Sequence, residues 1–125
     1  MKIEVSLGEL VDKLTILAIK LEKIMDAQKL ANIRKEYELL HREMAAAGIT
    51  EDAAEYEGLY RVNLRLWDIE DRIRIKEAEK AFDDEFIELA RSVYFNNDKR
   101  AEIKREVNIK YGSDLIEEKS YAPYT

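Results

Sequence analysis

The stretch TEDAAEYEGLYRVNLRLWDIEDRIRIKEAEK, residues 50–80, decides which fold the sequence predicts. Its apolar side chains recur every three or four residues, the spacing of an α-helix that buries one face; they are Leu59, Val62, Leu66, Ile69 and Ile73. Thr50 and the acidic residues after it predict the N-terminal cap. A helix of about 30 residues is roughly 45 Å long, whereas a compact domain of this size has a radius of gyration of about 14 Å. The sequence therefore predicts an elongated protein, or long helices covered by a second copy.

A first helix is predicted over about residues 7–25. Ser6 and Glu9 have the spacing of a capping box, in which the two side chains bond each other's backbone amides. A stripe of leucines follows at helical spacing, while Ile16 and Ile19 lie on the opposite side. This helix is therefore expected to have two neighbours, the second of which belongs to the same chain or to another subunit.

A second helix is predicted over about residues 28–47. Its apolar stripe is out of phase with that of the first helix, so one straight helix cannot bury both. A turn near residues 26–28 is expected between them, and the sequence leaves open whether it is a hairpin or a kink. Gly48 is suited to the left-handed conformation that ends a helix.

The rest of the chain is predicted to form two shorter helices. Asp83 and Asp84 mark a break, a short helix follows over about residues 86–93, and a fifth helix begins at Asn97 or Asp98. The predicted fold is all-α: a single domain, residues 1–125, built as an elongated antiparallel bundle of about five helices. We expect a homodimer that forms through the long helices.

Composition narrows the classes of function. The net charge of −6 disfavours nucleic acid as a partner, because affinity for phosphates comes from excess lysine and arginine. The absence of cysteine excludes disulfides, thiolate nucleophiles and cysteine-bound zinc, and a single histidine, His41, excludes a histidine-rich metal site within one chain. No apolar run has the length of a signal peptide or a membrane span, so the expected location is the cytoplasm, with no membrane partner.

The acidic residues of LWDIEDRIRIKE, residues 66–77, are the first candidates for chemistry. Helical geometry turns Asp68 and Asp71 toward solvent and places Glu70 and Glu77 beside Arg74 along the packing face. Buried carboxylates are costly unless they are paired or bind a cation. The favoured interpretation is that Arg74 neutralises both glutamates, and no cofactor is then required.

The alternative is a Mg²⁺ site. Hard cations bind carboxylate oxygens on facing helices, and Glu9 and Asp12 of the first helix would join Glu70 and Glu77. The Glu9-x-x-Asp12 pair resembles a motif of the all-α nucleoside triphosphate pyrophosphohydrolases. This resemblance implies a Mg²⁺-dependent enzyme as the alternative function.

A second candidate site lies in ARSVYFNNDKRAEIKREVN, residues 90–108. Basic side chains gather near the expected start of the fifth helix, whose free backbone amides favour anions. The residues proposed for an anion or phosphosugar site are Arg91, Asn97, Arg100 and Lys104. The other interpretation is a helix cap beside a basic face that pairs with the acidic helices.

Several blocks carry a resemblance that spans nearly the whole chain: SLGELVDKLTIL (6–17), NIRKEYELL (32–40), LWDIEDRIRIKE (66–77), ARSVYFNNDKRAEIKREVN (90–108) and GSDLIEEKSY (112–121). Together they resemble a family of small bacterial and phage proteins catalogued as a domain of unknown function. The resemblance implies an accessory role near surface-polysaccharide glycosyltransferases and supplies no catalytic residue. We therefore expect a helical interaction protein without catalytic activity, which binds a second copy or another protein.

Overall fold

The computed structural model describes residues 1–124, and within them the only regular secondary structure is helical. The four helices are α1 (Leu7–Lys23), α2 (Ala27–Ala46), α3 (Ala54–Ala78) and α4 (Asp84–Lys110). The predicted all-α class is confirmed, but the expected count of about five helices is wrong. No helix in the described residues is both long enough and apolar enough to span a membrane.

The difference in count comes from α4, which replaces the two short helices expected after residue 83. Asn97 and Asp98 lie inside this helix and cap nothing. The Asn96 Nδ2 group donates to the backbone oxygen of Ser92 at 2.8 Å, within the helix. No glycine or proline occurs between residues 84 and 110, so nothing in the backbone interrupts the helical hydrogen bonds.

The ends of the other helices follow the sequence signals closely, with one exception. Ser6 accepts a hydrogen bond from the Glu9 amide as the N-cap of α1, and Gly48 has the predicted left-handed conformation, with φ of 80°. The predicted cap at Thr50 is wrong. Residues 50–53 form a turn in which the Thr50 carbonyl accepts from the Ala53 amide, and α3 begins without a side-chain cap.

Helix α1 is the centre of the molecule, because it contacts α2, α3 and α4. The other substantial contact is between α3 and α4, so α2 packs mainly on α1, and its Tyr37 also contacts Tyr56 of α3. The core forms where these helices meet the loop after α2. Its buried apolar side chains are Leu10, Val11, Leu14, Met44, Ile49, Tyr56, Leu59, Val62, Ile103 and Val107.

The N-terminus of α1 lies directly against α4 at Gly8. The Gly8 amide donates to Asn108 Oδ1 at 2.6 Å, and the Leu7 amide donates to Ser113 Oγ at 3.0 Å. A Cβ atom on Gly8 would lie 2.3 Å from the Lys104 carbonyl oxygen. Two amides that a helix start leaves unpaired are thus satisfied by residues from the end of the chain.

We expect Gly8→Ala to lower the free energy of unfolding by about 2 kcal/mol, because the backbone of α4 has to move away from the new methyl group. The matched control is Gly58→Ala in α3. A Cβ there would meet only the flexible end of Ile103, at 3.3 Å, and alanine favours a helix by about 1 kcal/mol over glycine. Urea denaturation of both variants measures the difference. Equal free energies of unfolding for the two variants would show that α4 moves away from a methyl group at position 8 at little cost.

Candidate functional site

A buried ion pair joins α1 to α4. The Asp12 side chain is almost fully buried, and Arg100 donates to its two oxygens from Nε at 2.8 Å and from Nη2 at 2.6 Å. This bidentate geometry is the strongest form of arginine–carboxylate contact. The hydrogen bond to Asp12 raises the pKa of Arg100 above its ordinary value, against the opposing effect of burial. The guanidinium charge of Arg100 therefore lies directly against the Asp12 carboxylate.

Asn63 of α3 completes a polar network around this pair. Its Nδ2 atom donates to Asp12 Oδ1 and to Thr15 Oγ1, both at 2.9 Å, and the Thr15 hydroxyl donates to the Asp12 backbone oxygen at 2.7 Å. An ionised carboxylate only accepts hydrogen bonds, so the chemistry of Asp12 fixes the orientation of the Asn63 amide. The network ties three helices together through groups that would otherwise be expensive to bury.

A second ion pair lies one helical turn away, at Lys104. Its ammonium group contacts Glu9 of α1 at 2.8 Å and Glu117 at 3.3 Å, and the side chain is nearly buried. Burial lowers the pKa of Lys104, but the hydrogen bond and charge of Glu9 outweigh it, so the pKa is raised overall. Lys104 therefore remains charged and holds α1 to α4 beside Arg100.

A groove with a volume of about 430 Å³ opens beside the network. Its lining includes Ile16, Asn63, Trp67, Glu70, Asp71, Arg74, Val93, Asn97 and Arg100. The groove offers hydrogen-bonding groups and one aromatic wall. Both of its cations already face carboxylates, Arg100 in the network and Arg74 beside Glu70, so their charges are compensated within the chain.

The four acids of the alternative Mg²⁺ site occupy four different ion pairs. Glu9 and Asp12 contact Lys104 and Arg100 as described, and the remaining two lie on the exposed side of α3. Glu70 contacts Arg74 at 3.4 Å and Glu77 contacts Lys80 at 3.5 Å. Arg74 therefore neutralises only one of the two glutamates expected to share it, and both are exposed, although Glu70 also lines the groove. Within residues 1–124, no three acidic or histidine side chains converge as metal ligands would.

The four residues of the predicted anion site are also distributed along α4. Arg100 and Asn97 both line the groove, while Arg91 contacts Glu88 at 3.2 Å and also lies over the ring of Phe95. Lys104 faces Glu9. The free amides expected at Asn97 are absent because the helix continues through this residue. Two of the predicted metal ligands, Glu9 and Asp12, thus form ion pairs with two of the predicted anion-binding residues. Glu9 pairs with Lys104, and Asp12 pairs with Arg100.

Sequence reasoning missed the neutral polar side chains at these helix contacts, which are Asn63 and Thr15 in the network and Asn108 at the Gly8 amide. One signal for them exists in α1, where Gly8, Asp12, Thr15 and Ile19 recur at helical spacing and all are buried. A stripe that combines a glycine, a carboxylate and a hydroxyl indicates a close and polar helix contact. It does not indicate which distant residues complete that contact.

The outward surface of α2 differs from the network because its charges have no partner in the chain's ion pairs. We define this surface by five residues: Lys35, Glu36, Leu39, Arg42 and Glu43. All five residues are exposed. Within residues 1–124, the Lys, Arg and Glu residues of α2 form no ion pair, although α1, α3 and α4 each contribute at least two residues to such pairs. Apart from a contact between Tyr37 and Tyr56 of α3, α2 packs on α1, so its exposed outward surface is uncovered within residues 1–124.

Comparison with protein families supports the resemblance found in the sequence blocks. A family of unknown function (DUF6165) matches residues 1–124. The chain belongs to this family. No curated protein and no solved structure matches the chain. Membership of this family assigns no activity to the chain.

Proposed function

We propose that this protein is a non-catalytic helical interaction protein that binds its partner through the outward surface of α2. One observation carries the proposal: the Lys, Arg and Glu side chains of α2 form no ion pair within residues 1–124, while the charges of the network are paired. Charges left unpaired on a regular helix are available to a second helix, which can match them at helical spacing.

The half-exposed side chains of α2 support the same function. Leu30, Ile33 and Tyr37 belong to the apolar stripe of α2, and each is only partly buried. Leu39, on the opposite side, is 57% exposed. A helix that contacts one neighbour and retains apolar surface gains stability when a partner covers it.

The polar network provides a rigid base for such an interaction. Asp12 and Lys104 fix α1 against α4 through ion pairs, and α1 in turn carries α2. The acids and cations of the network are engaged with one another, which suits a structural role better than acid–base catalysis. We therefore assign the network to architecture and the outward surface of α2 to binding.

A photo-crosslinking amino acid at position 39 tests this proposal. We expect irradiation in the cells that make the protein to yield a discrete adduct from position 39 and none from position 106. Glu106 is an exposed residue of α4 that forms no ion pair within residues 1–124, so it controls for random collision. Mass spectrometry of the adduct identifies the partner, which is a second copy or another protein, including an enzyme of surface-polysaccharide synthesis as the resemblance implies. Equal labelling from both positions, or none from position 39, would refute the proposal.

A further inference from the structure

We infer that the groove beside the polar network binds a neutral, planar nitrogen heterocycle of the nucleobase kind, which stacks on Trp67 and pairs with the side-chain amide of Asn97. The inference goes beyond the proposed function, because the groove is lined by α1, α3 and α4 and not by α2. Its volume of about 430 Å³ lies within the range of about 300–1,000 Å³ that is typical of small-molecule pockets.

The first observation is a hydrogen-bond acceptor that the chain leaves unused at Asn63. This residue is 6% exposed, and its Nδ2 atom donates to Asp12 and Thr15, while its Oδ1 atom accepts no hydrogen bond within residues 1–124. Among those residues, only Glu55 Oε2 is enclosed without a partner, so Asn63 Oδ1 remains open to the groove that Asn63 lines. A carbonyl of fixed orientation thus presents an acceptor to a ligand that brings a donor.

The second observation is an uncommitted side-chain amide at Asn97, on the α4 side of the groove. Asn97 is half-buried in the lining, and within residues 1–124 its side chain makes no hydrogen bond, whereas that of the adjacent Asn96 donates to the Ser92 carbonyl. An asparagine amide carries a donor and an acceptor side by side. It can therefore bond two neighbouring atoms on the edge of a nucleobase, as asparagine does with adenine in DNA.

Trp67 supplies an apolar surface on the α3 side of the groove. It lies one helical turn after Asn63 and is half-buried in the lining. The adjoining lining is aliphatic, from Ile16 and Ile19 of α1 and Val93 of α4. Flat aromatic ligands stack on tryptophan, and every nucleobase has a face suited to this contact. A planar ring can thus lie on Trp67 while its polar edge meets the two amides.

The charges of the groove favour a neutral ligand. Arg74 and Arg100, the two cations of the lining, each contact a carboxylate of the chain. Glu70 and Asp71 place two negative charges on the same surface, so a phosphate would meet these acids while both cations are already engaged. The net charge of −6 also disfavours a nucleic-acid strand. The site therefore suits a free base or nucleoside rather than a nucleotide.

Fluorescence of Trp67 tests the inference directly, because this residue is the only tryptophan of the chain. The intact protein is titrated with adenosine, cytidine and uridine, with excitation at a wavelength that these nucleosides do not absorb. We expect at least one of them to quench the emission with a dissociation constant of about 1 mM or below, as a stacking contact and two amide contacts imply. Adenosine monophosphate should bind no more tightly than adenosine, and glucose, which has no planar ring, should leave the emission unchanged.

Two variants separate binding in the groove from a general effect of added solute. We expect Asn97→Ala to raise the dissociation constant about tenfold, because the contact to the edge of the base is lost. Asn96→Ala is the matched control: it removes the same side chain one position away, outside the lining of the groove, and should leave the dissociation constant unchanged. Alanine favours the interior of a helix, so both variants should remain folded, which circular dichroism melting checks.

Saturable quenching that weakens in Asn97→Ala and persists in Asn96→Ala would establish the site. The absence of saturable quenching by all three nucleosides up to about 10 mM would overturn it, as would equal affinities of the two variants. Binding of the monophosphate more than about tenfold more tightly than adenosine, or saturable binding of glucose, would also overturn it, because the ligand would then be an anion or a sugar. The proposed function is tested independently, since the crosslink from position 39 does not involve this groove.

Discussion

Asp12→Asn is expected to lower the free energy of unfolding by about 3 kcal/mol, because it leaves the partly buried guanidinium of Arg100 without a counter-charge. The new amide would also direct its NH₂ group toward a donor, either Arg100 or the Nδ2 atom of Asn63. Urea denaturation at neutral pH measures the loss. For a chain of this length the melting temperature should fall by roughly 10 °C.

Two variants show whether this loss comes from the buried pair. Glu70→Gln breaks an exposed pair with Arg74, and we expect a change below about 1 kcal/mol. Asp12→Leu combined with Arg100→Met removes both charges together, and should recover much of the stability lost in Asp12→Asn, because the cost lies in the uncompensated charge. A double variant as unstable as the single one would mean that Asp12 acts mainly through Asn63 and Thr15.

The sequence predicted helices well where the apolar residues recurred at helical spacing and the residues that start or end a helix were present. Helices α1 and α2 end within two residues of their predicted limits, and Gly48 caps α2 as expected. The prediction failed at Asn97, because asparagine and aspartate favour helix starts but are also tolerated inside helices. Ile103 and Val107 of the same helix pack in the core, and this tertiary packing stabilises one continuous α4 over two separate helices.

The candidate site was harder to predict, because its contacts join residues far apart in the chain. Asp12 and Arg100 are separated by 88 positions, and no helical spacing relates them. The same limit affects the surface of α3, where helical spacing places Arg72 one turn after Asp68. It contacts Glu85 at 2.5 Å instead. Helical periodicity assigns a charge to a side of a helix, but only the packing of helices determines its partner.

The difference between paired and unpaired charges is clearest when α2 is compared with α3. The Lys, Arg and Glu residues of α2 follow the same kinds of spacing as those of α3, and no sequence pattern separates a paired charge from an unpaired one. In the structure, Glu57 and Arg61 of α3 form an ion pair, whereas the Lys35 and Glu43 side chains of α2 remain free within residues 1–124. Only the folded structure therefore separates the charges that the chain pairs from those that it leaves unpaired within residues 1–124.

Asn63→Asp is expected to destabilise the fold as strongly as Asp12→Asn, but with a dependence on pH. The new carboxylate would lie about 2.9 Å from Asp12 Oδ1, and two carboxylates at this distance cannot both ionise cheaply. The pKa of residue 63 is therefore higher in the folded state than in the unfolded chain. Its destabilising effect is small near pH 4 and grows as the pH rises, reaching about 3 kcal/mol at neutral pH if the pKa is raised by about two units.

The same substitution at Asn108 provides the contrast. Asn108 is also buried, but its Oδ1 atom accepts a hydrogen bond from the Gly8 amide at the start of α1. A carboxylate can still accept there and is favoured by the helix dipole, so we expect Asn108→Asp to cost less than about 1 kcal/mol. Urea denaturation of both variants at pH 5 and pH 8 measures the difference. A parallel pH dependence in the two would mean that general burial, rather than the charge of Asp12, controls the stability of Asn63→Asp.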